Sequence, residues 1–176
     1  MSFGKIPFGI DSINVYPLTG DTPGSAVPVP IGRTFSIEPD EETKELTGYN
    51  AVAASTTTQL SGEVTLEYGG TDLALLAAIT GATLSTSGST PNQIKTLDIG
   101  SASVTRPYVM VIGRSLGDDG GDLWLKCWKV KFAVPPMTLE ESEYGVQTLT
   151  GTAVRNGSGK FYSIIQHETI TTISTS

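Results

Sequence analysis

Between Arg106 and Val154 the apolar positions recur at the spacing of strands. Tyr108 to Ile112 is apolar and β-branched, and Asp118-Asp119-Gly120-Gly121-Asp122 then reverses the chain. From Leu123 to Val134, Trp124, Trp128, Val130, Phe132 and Val134 fall on even positions, while Leu125, Cys127, Lys129, Lys131 and Ala133 fall on odd ones. Period two of this kind predicts a strand with one face toward the core. Pro135-Pro136-Met137 and Glu140-Glu141-Ser142-Glu143 form a connecting loop, and a further strand runs from Val146 to Val154. The region reads as an antiparallel scaffold carrying few reactive side chains.

The N-terminal half is less regular. Residues 1–9 read as a flexible arm, and Ile13 and Val15 mark a first strand ending at Pro17 and the Thr19-Gly20-Asp21 turn. Val27-Pro28-Val29-Pro30 fits only an edge strand or strap, because each proline removes a ladder donor. A short strand is expected over Thr34–Glu38. The acids Glu38, Asp40, Glu41, Glu42 and Glu45 surround a lone Lys44, a pattern expected of a solvated loop or helix turn. Leu46 to Gln59 is rich in Thr, Ala and Ser and is read as half of a long hairpin with Leu60–Tyr68. In that second half Leu60, Gly62, Val64, Leu66 and Tyr68 alternate with Ser61, Glu63, Thr65 and Glu67.

One helix is predicted, over Thr71–Gly81, with Thr71 as cap, Asp72 in the first turn and Gly81 at the C′ position. Leu73, Leu76, Ala77 and Thr80 form its stripe, widened by Leu75 and Ile79. Residues 82–92 read as a mobile surface loop and Ile94–Ile99 as a short strand. Asn156-Gly157 predicts a final hairpin with Phe161–Ile165, followed by a C-terminal segment, about 166–176, extending beyond the domain.

Composition agrees with this β pattern. The 176 residues include 20 glycines and only 16% charged residues, as in a turn-rich all-β chain. That length favours one domain. Eighteen acids against eleven bases leave a net charge of −7, which disfavours a nucleic-acid reader or an anionic membrane surface as partner. Cys127 is the one cysteine and reads as a small core hydrophobe. Met1–Phe8 contains one Lys and no apolar core, so no signal peptide is expected, and no apolar run approaches a membrane span.

Candidate chemistry is sparse. His167 is the only histidine, it lies outside any Gly-x-Ser-x-Gly elbow, and a structural surface role is expected. The acidic glycine turn at 118–122 offers oxygens to a hard cation, but an ordinary β-turn explains the same residues. Glu63/Glu67 and Glu140/Glu141 are weak as glycosidase pairs. No Walker or dinucleotide glycine pattern occurs. Trp124 and Trp128 could stack on a sugar, although core packing is the stronger reading. No catalytic, metal or cofactor-binding residue is expected, and the chain is not expected to be an enzyme.

Four segments resemble the tail tube (major tail) proteins of long, non-contractile-tailed bacteriophages. They are the acidic stretch Glu38–Glu45 leading to Gly62-Glu63-Val64-Thr65-Leu66, the helix Asp72-Leu73-Ala74-Leu75-Leu76 closing on Gly81, the strand Leu123–Val134 breaking at Pro135-Pro136 before Glu140–Glu143, and the closing strand Leu149-Thr150-Gly151-Thr152-Ala153-Val154. The resemblance implies a mainly β fold, a β-sandwich or small β-barrel with one flanking helix and long hairpin loops. It also implies a virion tail location after synthesis in the host bacterial cytoplasm, and hexameric rings of the chain stacked into a tube. Tape measure and tail terminator or initiator proteins would be its partners, and DNA would pass through without sticking. On that basis Glu63 and Glu67 are candidate lumen-facing acids. Glu38, Asp40, Glu41, Glu42, Glu45, Glu140, Glu141 and Glu143 are candidates for loops between subunits or rings. A tube protein of a contractile injection system and a glycan-binding β-sandwich decorating a virion are the alternatives.

Overall fold

The computed structural model describes residues 6–48, 51–100, 105–118, 120–137 and 145–175. Its strands are β1 (Pro7–Thr19), β2 (Thr22–Pro23), β3 (Val27–Pro28), β4 (Gly32–Gly48), β5 (Ala51–Gly69), β6 (Leu84–Ser87), β7 (Ile94–Leu97), β8 (Val109–Gly117), β9 (Asp122–Phe132), β10 (Val146–Ala153) and β11 (Tyr162–His167), with one helix, α1 (Leu73–Thr80). Nine strands join in one antiparallel sheet ordered β2-β1-β8-β9-β10-β5-β4, with β3 also on β1 and β11 also on β9. β6 and β7 form a separate hairpin. The mainly β, barrel-like architecture with one helix is the one expected.

The sheet coils around its main core. Ile13 and Val15 from β1, Val64, Leu66 and Tyr68 from β5, and Val111, Cys127, Val130, Phe132 and Leu149 from the central strands are all buried there. Leu75, Leu76 and Ile79 of α1 enter the same cluster. The helix starts one residue later than expected. Asp72, not Thr71, is the N-cap, its carboxylate accepting from the N–H groups of Ala74 and Leu75. Gly81 ends it in the left-handed conformation at φ 74°, which a glycine adopts without steric strain.

The alternation over 60–68 is that of a half-buried strand: Val64, Leu66 and Tyr68 are buried and Glu63 is exposed. Its partner differs from expectation. Residues 51–69 form one strand, β5, paired with β4 over 32–48. The acidic run Glu38–Glu45 is therefore strand rather than loop. Charge does not forbid a strand on the outside of a sheet, and charged side chains on edge strands discourage unwanted pairing.

A bulge corrects the reading of β9. Val109 pairs with Val130 but Val111 pairs with Cys127, so Trp128 and Lys129 share the space opposite Met110. Such a two-against-one mismatch reverses the facing of every residue beyond it. Cys127, Val130 and Phe132 consequently enter the main core, whereas Trp124 and Trp128 pack on the other face with Tyr16, Met110 and Ile112.

Further differences concern connections. Residues 84–87, inside the expected mobile loop, are β6. β1 begins at Pro7 and pairs Phe8 with Leu116, so the end of the expected arm is strand. The strand read as closing the fold, β10, is central, between β9 and β5. The Asn156-Gly157 turn forms, with Asn156 N–H bonded to the Lys160 carbonyl at 2.9 Å, but it makes no β10–β11 hairpin. β10 pairs with β9 as far as Val130, and β11 resumes on the same strand at Cys127. The C-terminal segment also departs from expectation: 166 and 167 lie in β11, and the chain beyond folds back on the sheet, where Ile173 joins the second apolar cluster.

Candidate assembly surface

The most distinctive surface is the distal half of the β4–β5 hairpin. Every side chain described from Glu41 to Thr47 and from Ala54 to Thr58 is exposed. This part touches no core and projects from the body; seven residues of strand span about 23 Å. Thr43 and Thr57 hydroxyls meet across it at 2.9 Å, and Lys44 forms an exposed ion pair with Glu42 at 3.5 Å. An isolated two-stranded ribbon is marginal in water. Its acids Glu41, Glu42 and Glu45 therefore stand on an arm that a second molecule would stabilise.

Nearer the body, the outward face of the hairpin carries the remaining acids. Glu38 lies beside Glu63 on β5, Glu63 beside Thr152 on β10, and Thr152 beside Lys131 on β9, as one row across four strands. A second row joins Thr34, Glu67 and Thr148. The Thr34 hydroxyl donates to Glu67 at 3.0 Å, and Glu67 is half-buried where Glu63 is exposed. Glu63 and Glu67 thus share one water-facing surface, as the alternation predicted. The first row runs along an open groove of about 720 Å³, whose lining includes Glu38, Asp40, Glu63, Arg106, Tyr108 and Lys131. Lys129 and Lys131 approach the Tyr108 ring at 5.0 and 4.5 Å, and Lys129 is also paired with Asp21 at 2.8 Å. That hydrogen bond, with a second from the Gly157 N–H, holds the Asp21 carboxyl below its ordinary range against a small opposing effect of burial. The candidate acids Glu140, Glu141 and Glu143 lie outside the described residues.

At the opposite end of β9, Asp122 is not a solvated turn residue. It is fully buried, and its carboxylate accepts from Trp124 Nε1 at 3.0 Å, from the Thr171 N–H at 2.9 Å and lies 2.7 Å from His167 Nδ1. His167 is half-buried, with its ring 4.4 Å from that of Trp124. Among the described residues no group of three or more His, Cys, Asp or Glu side chains is arranged to hold a metal ion. Trp124 is 2% exposed, and Lys126 and Lys160 lie over the Trp128 ring at 3.8 and 4.6 Å, so neither indole offers a bare face to a sugar. Lys126 and Arg114 were not singled out from sequence, and Asp122 was read there only as part of an acidic turn. The available signal was a lone ionisable residue, Lys126, at the same parity as Trp124 and Trp128.

Among solved structures the chain is similar to the anti-feeding prophage cap (AFP tube terminating cap), with a TM-score of 0.42 and 13% sequence identity over 88% of this chain and 88% of that one. No protein-family model matches the chain, and no curated protein matches it. Among the described residues no helix is long and apolar enough to cross a membrane.

Proposed function

We propose that this chain is a structural subunit of a bacteriophage tail, assembling with copies of itself into stacked hexameric rings that form the tube through which DNA passes. The observation that carries this reading is the projecting β4–β5 hairpin, a ribbon without a core of its own. A neighbouring subunit would cover it and pair with the long outer edge of β4. Phe8 is 81%, Ile164 63% and Ile170 58% exposed, and covering each by a neighbouring subunit would be favourable. In the proposed tube Glu63 and Glu67 face the lumen and repel DNA phosphates, while Glu41, Glu42 and Glu45 contact the adjacent subunit or ring. Tape measure and terminator or initiator proteins would meet the ends of the tube. No residue is assigned a catalytic role, and His167 serves to hold Asp122.

Negative-stain electron microscopy of the purified protein across a concentration series tests the proposal. Hollow tubes or six-fold rings are expected from the natural chain, and none from a variant in which residues 41–58 are replaced by a two-residue turn. A monomer at every concentration would overturn self-assembly by this chain.

A further inference from the structure

Asn156 is the only asparagine of the chain followed by glycine, and the turn it opens is built around its side chain. The carboxamide oxygen Oδ1 accepts from the Ser158 N–H at 3.1 Å and from the Lys160 N–H at 2.8 Å. These bonds fold the side chain back over the Gly157 peptide, as in an Asx turn, and none of them uses Nδ2. The Gly157 N–H donates to Asp21 Oδ2 at 2.6 Å, while Asp21 Oδ1 takes Lys129 Nζ at 2.8 Å. The ion pair with Lys129 keeps that carboxylate charged at neutral pH. A Cβ at position 157 would stand 2.6 Å from Asp21 Oδ2, so glycine is what lets the carboxylate reach the peptide nitrogen. Gly157 and Ser158 are exposed and Asn156 is half-buried, which leaves the turn open to water.

Each contact has a chemical sense. Two N–H donors on Oδ1 draw electrons from Cγ and would stabilise negative charge developing on that oxygen, as an oxyanion hole does. A carboxylate on the Gly157 N–H is placed to accept its proton. The nitrogen and Cγ belong to adjacent residues, and a bond between them closes a five-membered ring. We propose that Asn156 and Gly157 form a self-modifying site, at which the fold speeds conversion of the asparagine to aspartate or isoaspartate with Asp21 as proton acceptor. The Gly157 nitrogen bonds to Asn156 Cγ, its proton passes by way of Asp21 to Nδ2, and the Cγ–Nδ2 bond breaks to release ammonia. Water then opens the succinimide at either carbonyl. The product places a carboxylate close to Asp21, and the isoaspartyl form adds a backbone atom to the turn between β10 and β11.

The full chain is aged at neutral pH, folded and, in parallel, unfolded in guanidinium chloride. The peptide containing residue 156 is followed by mass spectrometry with separation of the isoaspartyl form. Conversion at Asn156 several-fold faster in the folded chain than in the unfolded one is expected, with Asn14 and Asn92 unchanged over the same time. Asp21→Ala should slow the folded reaction several-fold and leave the unfolded one as it was. Should Asp21→Ala fail to fold, Asp21→Asn keeps an acceptor of the same shape without the charge and should be slowed in the same way. Folded conversion no faster than unfolded, or folded conversion indifferent to the loss of the Asp21 carboxylate, would overturn the proposal.

Discussion

Phe35 of β4 rests on the backbone of Gly113 in β8, so closely that a Cβ on Gly113 would stand 2.7 Å from Phe35 Cδ1. These strands are far apart in the order of the sheet, so their meeting marks where the coiled sheet closes on itself. Gly32 and Ile13 make a similar close approach. A Gly113→Ala variant must push Phe35 off the core, and overpacking of this kind costs about 1–3 kcal/mol. Gly145→Ala, where a Cβ meets nothing within 4 Å, should change stability little. Urea midpoints of the two variants compare them directly; equal midpoints would show that Phe35 moves without resistance.

Asp122 should make folding sensitive to acid. Burial by itself would raise its carboxyl pKa, but hydrogen bonds from Thr171, Trp124 and His167 outweigh it and leave the value lowered. The folded value thus lies below the ordinary carboxylate value of about 3.9. The resulting stabilisation is fully present above that value and is lost as pH falls through the lower folded one. Asp122→Ala should cost about 2–4 kcal/mol near neutral pH by stranding its buried donors. It should also flatten the fall of stability below about pH 4, and denaturation curves at several pH values check both effects.

Tyr68 presents the reverse case. Its ring is fully buried in the main core, and its hydroxyl has no hydrogen-bond partner among the described residues. Desolvation, with a lesser effect of Asp72, pushes its pKa to about 12. Removing an unsatisfied buried hydroxyl returns roughly 1–3 kcal/mol, so Tyr68→Phe should match or exceed the parent in thermal stability. A drop of more than about 1 kcal/mol would reveal a partner for the hydroxyl.

Glu63→Lys and Glu67→Lys bear on the lumen assignment. Both residues face outward, and surface reversals of charge usually shift stability by about 0.5 kcal/mol or less; Glu67→Lys should cost somewhat more because it loses the Thr34 hydrogen bond. Tubes should still form, while DNA ejection slows. Unaltered ejection from tubes carrying both reversals would remove these acids from the channel wall.

What could be read from the chain alone follows from local chemistry. Val64, Leu66 and Tyr68 announce a half-buried strand because alternate residues of a strand point to opposite faces. Leu75, Leu76 and Ile79, between Asp72 and Gly81, announce a helix by spacing and caps. The two prolines of Val27–Pro30 confine that segment to an edge, where β3 is found. Each signal lies within a few residues.

Tertiary structure alone decided the rest, for reasons that span the chain. The acidic run over 38–45 became strand because β5 offered a ladder, and ladder hydrogen bonds are made by backbone whatever the side chains. The bulge opposite Met110 sent Trp124 and Val130 to different faces, which depends on β8 and cannot be seen in the period of β9. Asp122, Arg114 and Lys126 hold the C-terminal segment through Thr171 and Thr175, far from them in sequence, and only the register of β8 with β9 brings them onto one surface. Local pattern determined which pieces are strand or helix; long-range pairing determined which faces meet, and so which surfaces are left open.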